Sequence, residues 1–235
     1  MRVSIVFEKD KDDKRLASGW GISYLVDDWL LFDTGEKYEY IDENFRIMNI
    51  DRNKIRHIVI SHNHWDHRSG LEKLAGQISP LTVWVPEDFA VEFQAEFAKN
   101  SLTAVTERNE LSAGVAVFCS GSAAYKGKTL SELVLVLDTA NGLVVLTGCA
   151  HRGVAAIVKR VREAFGKDVY ALGGGFHLLE EDLRTIRYVV EELRDLNVQK
   201  VFPGHCTGYK AINVFSEVFG RRCVPLKAGM NIEFS

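Results

Sequence analysis

The sequence predicts an α/β protein. Apolar runs of strand length alternate with helical patterns through the second half of the chain, and no low-complexity segment or linker interrupts the alternation. Four of the apolar runs also stop at a histidine-bearing motif, the arrangement expected where strand ends converge on one site in a layered α/β fold.

The elements follow in order. Residues 2–7 read as a strand, and the charged stretch from Glu8 to Arg15 opens a loop that runs through Ser18. Residues 22–26 and 29–32 are apolar runs separated by Asp27-Asp28, which predicts a hairpin whose second strand ends at Asp33-Thr34-Gly35. Residues 38–49 place Tyr40, Ile41, Phe45 and Met48 near helical spacing, and Asp51-Arg52-Asn53-Lys54 connects to the β-branched run Ile58-Val59-Ile60. That run ends in Ser61-His62-Asn63-His64-Trp65-Asp66-His67, after which a helix starting near Ser69 carries Leu71 and Leu74. Residues 82–85 form a strand, and residues 86–99 a helix with Pro86 near its start. Short strands are expected at 103–106 and 115–118. The loop Gly121 to Lys128 then reads equally as a flank of a substrate entrance or as plain surface.

The runs 133–137 and 143–146 flank Asp138-Thr139-Ala140-Asn141-Gly142, where Asn-Gly signals a tight hairpin, and the second run ends in Thr147-Gly148-Cys149-Ala150-His151. A helix over 154–165 leads to the strand 169–172, which ends in Gly173-Gly174-Gly175-Phe176-His177. A helix over about 180–196 and a strand over 200–202 lead to Pro203-Gly204-His205-Cys206-Thr207-Gly208. A helix over 209–219 and a strand near 231–234 close the chain.

Composition limits the function classes. With 235 residues, 46% hydrophobic and 26% charged, the chain fits one large soluble domain or two tight halves with a well-buried core, and a single domain over 1–235 is the expectation. A net charge of −3 and a pI near 6.2 supply no global positive field, so neither nucleic acid nor an anionic membrane is an expected partner. The first apolar run is cut short by Glu8 and the charges after it, too early for a signal peptide or a membrane span, so the expected location is cytoplasmic. Four cysteines (Cys119, Cys149, Cys206 and Cys223) are scattered without a CxxC pair, which argues against a disulfide framework or a tetrathiolate zinc site. Cys149 and Cys206 each lie within two residues of a histidine of interest, and the simplest account of them is as small buried residues at strand ends.

Six of the seven histidines fall at the four strand ends; His57 alone lies outside the pattern and reads as a structural residue. His62 and His64, two apart on extended backbone, point to one side and can share an ion. Asp66 and His67, where the chain turns into a helix, are free to bind a second ion beside it. Such a cluster after a buried strand requires a positive charge to hold imidazoles and a carboxylate together.

These motifs, HxHxDH, a later strand-end histidine and a last histidine after Pro-Gly, with Asp33-Thr34-Gly35 near the start, resemble those of the metallo-β-lactamase superfamily. The finer motifs around His151, His177 and His205 are similar to the branch of 7,8-dihydropterin-6-methyl-4-(β-D-ribofuranosyl)aminobenzene-5′-phosphate synthase-like proteins. The resemblance implies a four-layer αββα sandwich of two mixed sheets with helices outside. It implies two divalent transition metal ions, zinc foremost with iron and manganese as alternatives: one held by His62, His64 and His151, the other by Asp66, His67 and His205. Asp33 would support the metal-binding loop from behind. The superfamily often carries a bridging aspartate at the strand end where this chain has Gly173-Gly174-Gly175-Phe176-His177, so either His177 approaches the site, as a substrate contact, proton donor or ligand, or the second metal is held more weakly.

The expected reaction is hydrolysis by a metal-bound hydroxide, most readily of a phosphoester in a small phosphorylated molecule, with Asp66 orienting the nucleophile. Gly174 and Gly175 are expected to cradle the anion with backbone N–H groups, or else to serve close packing, and His177 to protonate the leaving group. Two other classes stay open: an iron-dependent redox enzyme on the same scaffold, kept alive by Cys149 and Cys206, and a metal- or ligand-binding protein without turnover.

Overall fold

The strand-forming runs pair into two mixed sheets, one in each of two units: Met1–Glu107 with Lys227–Phe234, and Arg108–Leu226 with Ser235. This computed structural model describes residues 1–93 and 101–235.

In the first unit β1 (Arg2–Phe7), β2 (Ser23–Val26) and β3 (Leu30–Phe32) form an antiparallel meander. Asp27 and Asp28 join β2 to β3 with φ of 43° and 66°. Positive φ at both central residues gives the turn a twist that matches the strands. The helix α1 (Tyr38–Ile47) follows, ending two residues short of the expected span, and buries Ile41, Asn44 and Phe45. The buried Asn44 amide is fully used: Nδ2 donates to Val6 O (2.7 Å) and Ala17 O (2.9 Å), and Oδ1 accepts from Ala17 N (2.7 Å). The strand β4 (His57–Val59) adds parallel to β3.

After β4 the chain makes two short helices, α2 (Trp65–Arg68) and α3 (Leu71–Ala75), rather than one starting near Ser69, so Asp66 and His67 already sit on helical backbone. Helix α2 starts early because the His64 carbonyl accepts from His67 N (3.1 Å), closing a turn that the sequence marks with no obvious cap. The strands β5 (Thr82–Pro86) and β6 (Ser101–Val105) continue the sheet in parallel, with α4 (Glu87–Phe93) between them. The remainder of the helix expected over 86–99 lies outside the described residues. Phe7, Leu31, Phe45, Ile58, Leu74 and Val83 meet in this unit's core.

In the second unit β7 (Arg108–Ser112), β8 (Val115–Tyr125), β9 (Lys128–Thr139) and β10 (Gly142–Thr147) form an antiparallel meander. The helix α5 (Val154–Phe165) leads to β11 (Val169–Gly175), α6 (Leu183–Asp195) to β12 (Lys200–Gly204), and β11 and β12 add parallel to β10. Val154, Ile157, Val158 and Val161 form the stripe by which α5 enters the core, and each such buried side chain contributes roughly 1.5–3 kcal/mol. The helix α7 (Tyr209–Phe219) buries Ala211, Ile212 and Phe215 on the same pattern. The last strand, β13 (Asn231–Glu233), pairs with β1 of the first unit's sheet.

The segment 100–129 departs most from expectation. β7 is an additional strand, and the expected loop from Gly121 to Lys128 is the upper part of a long hairpin, with Ala123 opposite Leu130 and Tyr125 opposite Lys128. Cross-strand pairing extends β8 through residues whose small side chains carry no strand signal. Lys126 (φ 48°) and Gly127 (φ 75°) then make the tight turn. Among the described residues no helix is long and apolar enough to cross a membrane.

Candidate metal centre

In the first unit the site is built around Asp33, which ends β3 with φ 58°, a left-handed conformation costly for a non-glycine residue, and is fully buried. Its Oδ1 accepts from Ser61 N (2.7 Å), and its Oδ2 accepts from Ser61 Oγ (2.7 Å) and His67 Nδ1 (2.6 Å). Burial pushes the Asp33 carboxyl above its ordinary pKa, against the opposing pull of the His67 ring and the Ser61 donors. Next to it, Thr34 donates from N (2.7 Å) and Oγ1 (3.1 Å) to His67 O, so the end of β3 clamps both ends of the loop carrying the histidines.

This network fixes the tautomers. The Ser61 hydroxyl gives its one hydrogen to Asp33 and is left to accept from His62 Nδ1 at 2.8 Å, so His62 presents a lone pair at Nε2. His67 donates from Nδ1 to Asp33 and likewise presents Nε2. His62 Nε2 then lies 3.0 Å from His64 Nδ1, and His67 Nε2 lies 3.5 Å from Asp66 Oδ2. Two donors on one tetrahedral zinc stand about 3.3 Å apart, given zinc–nitrogen distances of about 2.0–2.1 Å. Both pairs therefore have the spacing of metal ligands, and the nitrogen and oxygen donor set suits a divalent transition metal. The pairs are adjacent, with the His62 and His67 ring centroids 4.2 Å apart.

In the second unit three strand ends carry histidines. Ala150 (φ 63°), His177 (φ 54°) and His205 (φ 46°) all adopt the left-handed conformation just past β10, β11 and β12, so here too backbone strain gathers where the chemical groups are. The His151 and His177 rings lie 4.4 Å apart between centroids, and Tyr125 at the tip of the long hairpin packs edge-on against both, at 5.1 and 6.2 Å. A hydrogen bond to Cys206 raises the pKa of His177, with burial working against it. The donor atoms of Cys149, His205 and Cys206 lie within 4.8 Å of one another, as do those of Cys149, His151 and His177.

One residue here escaped sequence reasoning. Glu132, in the middle of β9, is buried and accepts three backbone bonds: Oε1 from Cys149 N (3.1 Å) and Ala150 N (2.8 Å), Oε2 from His151 N (2.8 Å). Its Oε1 also lies 3.4 Å from His151 Nδ1. Burial alone would raise its pKa, but the His151 ring and the Ala150 and Cys149 amides prevail and hold it below the ordinary carboxylate value. Glu132 does for the His151 loop what Asp33 does for the His62–His67 loop. The available signal was a lone acid inside Leu130-Ser131-Glu132-Leu133-Val134-Leu135, where a buried charge needs a dedicated set of donors.

The anion cradle expected at Gly174 and Gly175 is not formed. Gly175 N donates to Gly148 O (3.2 Å) and Phe176 N to Thr207 Oγ1 (3.0 Å), so these groups are consumed inside the fold. Nor does a helix N-terminus follow at once, since α6 begins at Leu183, capped by the Asp182 side chain on Thr185 N (2.7 Å). The glycines are there for close approach: a Cβ at Gly174 would stand 2.2 Å from Thr147 O, and at Gly175 2.4 Å from Gly148 O. Thr207→Val removes both the Phe176 N–H acceptor and a donor to Gly174 O, and should lower stability by about 1–3 kcal/mol in urea unfolding. His57 is structural, as expected: its Nδ1 accepts from Trp84 Nε1 (2.9 Å), its ring packs edge-on against Trp29, and burial lowers its pKa.

A fold of two mixed sheets with helices, with histidine and carboxylate donors at the strand ends, defines a class, and the chain belongs to it: the metallo-beta-lactamase superfamily, whose family model matches residues 22–205. Members of this family generally bind metal ions and are mostly hydrolases. Among its relatives is the 7,8-dihydropterin-6-methyl-4-(beta-D-ribofuranosyl)-aminobenzene-5′-phosphate synthase of Methanocaldococcus jannaschii, 30% identical over 263 aligned residues that cover 91% of this chain and 90% of that protein. The crystal structure of Tm1679, a metal-dependent hydrolase of the beta-lactamase superfamily, matches all of this chain and 99% of its own with a TM-score of 0.86 at 28% identity. Human tRNase Z, short form, shares the fold at a TM-score of 0.62 and 13% identity, over all of both chains.

Proposed function

We propose that the protein is a metal-dependent hydrolase of a phosphoester in a small, phosphorylated, ring-bearing substrate. Two divalent metals, zinc foremost, would be held by His62, His64 and His151 and by Asp66, His67 and His205. The observation that carries this reading is the pair of donor spacings, 3.0 Å and 3.5 Å, set by tautomers that Asp33 enforces. The family match spans both groups of histidines, and the name of the Methanocaldococcus relative contains an aromatic amine, a ribofuranosyl group and a phosphate.

When bound, a pair of divalent ions supplies Lewis acidity at a phosphoryl oxygen and a water of lowered pKa. The chain does the rest. Asp66 accepts a hydrogen bond from the attacking water and orients it. Asp33 and Glu132 hold the loops so that imidazole lone pairs stay aimed. Tyr125, packed on His151 and His177, offers an aromatic edge beside the reacting group. His177, with one ring nitrogen engaged by Cys206, carries a proton on the other and gives it to the departing alkoxide. His177 is a donor in this reading rather than the replacement for the missing bridging aspartate.

A panel of phosphomonoesters, phosphodiesters, lactones and thioesters, assayed with metal-loaded protein, tests the substrate class; turnover confined to lactones or thioesters would overturn it. His177→Ala should slow alkyl phosphoesters by about 10²–10⁴-fold and nitrophenyl esters far less, with metal content unchanged, because a good leaving group needs little protonation. The raised pKa adds a sign: with alkyl esters the wild-type rate should fall on the alkaline side as His177 loses its proton, and that fall should be missing from His177→Ala. Equal slowing of all substrates together with lost metal would make His177 a ligand instead.

A further inference from the structure

Two buried thiols undergo no chemistry in this mechanism, in which Cys206 serves only to engage the His177 ring. Cys149 follows β10 and Cys206 follows β12, yet their sulfurs lie 3.3 Å apart, with Cys206 Sγ also 3.6 Å from Cys149 O. Both main chains are pinned where they stand: Cys149 N donates to Glu132 Oε1 (3.1 Å), and Cys206 O accepts from Leu178 N and Leu179 N, each at 3.1 Å. A Cβ at position 175 would fall 2.6 Å from Cys206 Sγ, so the glycine there is what lets that sulfur reach its partner. Cys223 has a different neighbour, the Ser216 hydroxyl at 3.6 Å, and Cys119 lies on β8.

We propose that Cys149 and Cys206 form a redox-active dithiol that closes to a disulfide, with a peroxide as the oxidant. A disulfide has its sulfurs about 2.05 Å apart, so closure requires an approach of about 1.3 Å along a direction already set. The O–O bond of the peroxide breaks as one sulfur takes up an oxygen to give a sulfenic acid, and the first water leaves. The second thiol then attacks that sulfur, the S–S bond forms, and the second water leaves. In sum two thiols lose two electrons and two protons, and hydrogen peroxide is reduced to two molecules of water. The exposed His177 ring, hydrogen-bonded to Cys206, marks the side from which a small oxidant reaches the pair. The bond ties the loop carrying His151 to the turn carrying His205.

The test treats native, metal-loaded protein with a few equivalents of hydrogen peroxide, then alkylates remaining thiols in acid and maps peptides by mass. The expected result is loss of two hydrogens from the intact mass, a single Cys149–Cys206 cross-linked peptide, alkylated Cys119 and Cys223, and full reversal by dithiothreitol. Cys149→Ser and Cys206→Ser should each abolish the two-hydrogen loss, leaving oxygen addition on the remaining cysteine. The proposal is overturned by absence of the cross-linked peptide in wild type, by a disulfide through Cys119 or Cys223, or by one that forms only after unfolding in urea.

Discussion

Asp66→Asn should cut turnover by about 10²-fold or more while the fold survives. The substitution keeps the size of a nearly buried side chain but removes the charge that faces His67 Nε2 at 3.5 Å. An amide there is a poor ligand and, if its nitrogen turns inward, sets a donor where an acceptor is needed. The surrounding loop is closed by Asp33 and Thr34, so the urea midpoint of the metal-free protein should move little. Full activity of a metal-replete Asp66→Asn protein would end the proposed mechanism.

Glu132→Gln should show the opposite division, with the largest loss in stability. An amide oxygen can still accept from Cys149 and Ala150, but its nitrogen then faces the His151 N–H, leaving two buried donors opposed; a cost of about 3 kcal/mol in the metal-free protein follows. The pH dependence carries a sign. The folded pKa of Glu132 lies below the unfolded value, so its charge stabilises the fold above the unfolded pKa, and that contribution is lost as pH falls through the folded one. Wild type and Glu132→Gln should therefore converge in stability under acid. A gap in unfolding free energy that stays constant from neutral pH into acid would contradict this account of the residue.

Much of this was legible from the chain. His62, His64, Asp66 and His67 lie close in sequence, so their grouping follows from strand direction and spacing, whereas Asp33 was placed with them by the resemblance to the superfamily. Glu132 could not be read that way, because what defines it is three amide donors seventeen to nineteen residues distant, delivered by the β9–β10 hairpin. The glycines of β11 carried two meanings in sequence, anion cradle and close packing. The choice depended on where Thr147, Gly148 and Cys206 stand, which is a tertiary fact. The same holds for β7 and the upper part of β8, where pairing with a neighbour overrides weak local preference.

The central claim is that the strand-end histidines and Asp66 exist to hold transition metal. Elemental analysis of protein purified without chelators tests it most directly. The account predicts about two equivalents of zinc, iron or manganese per chain, at the donor spacing a transition metal requires. A content below about a tenth of an equivalent of any transition metal, with no gain in activity when these metals are added back, would contradict it.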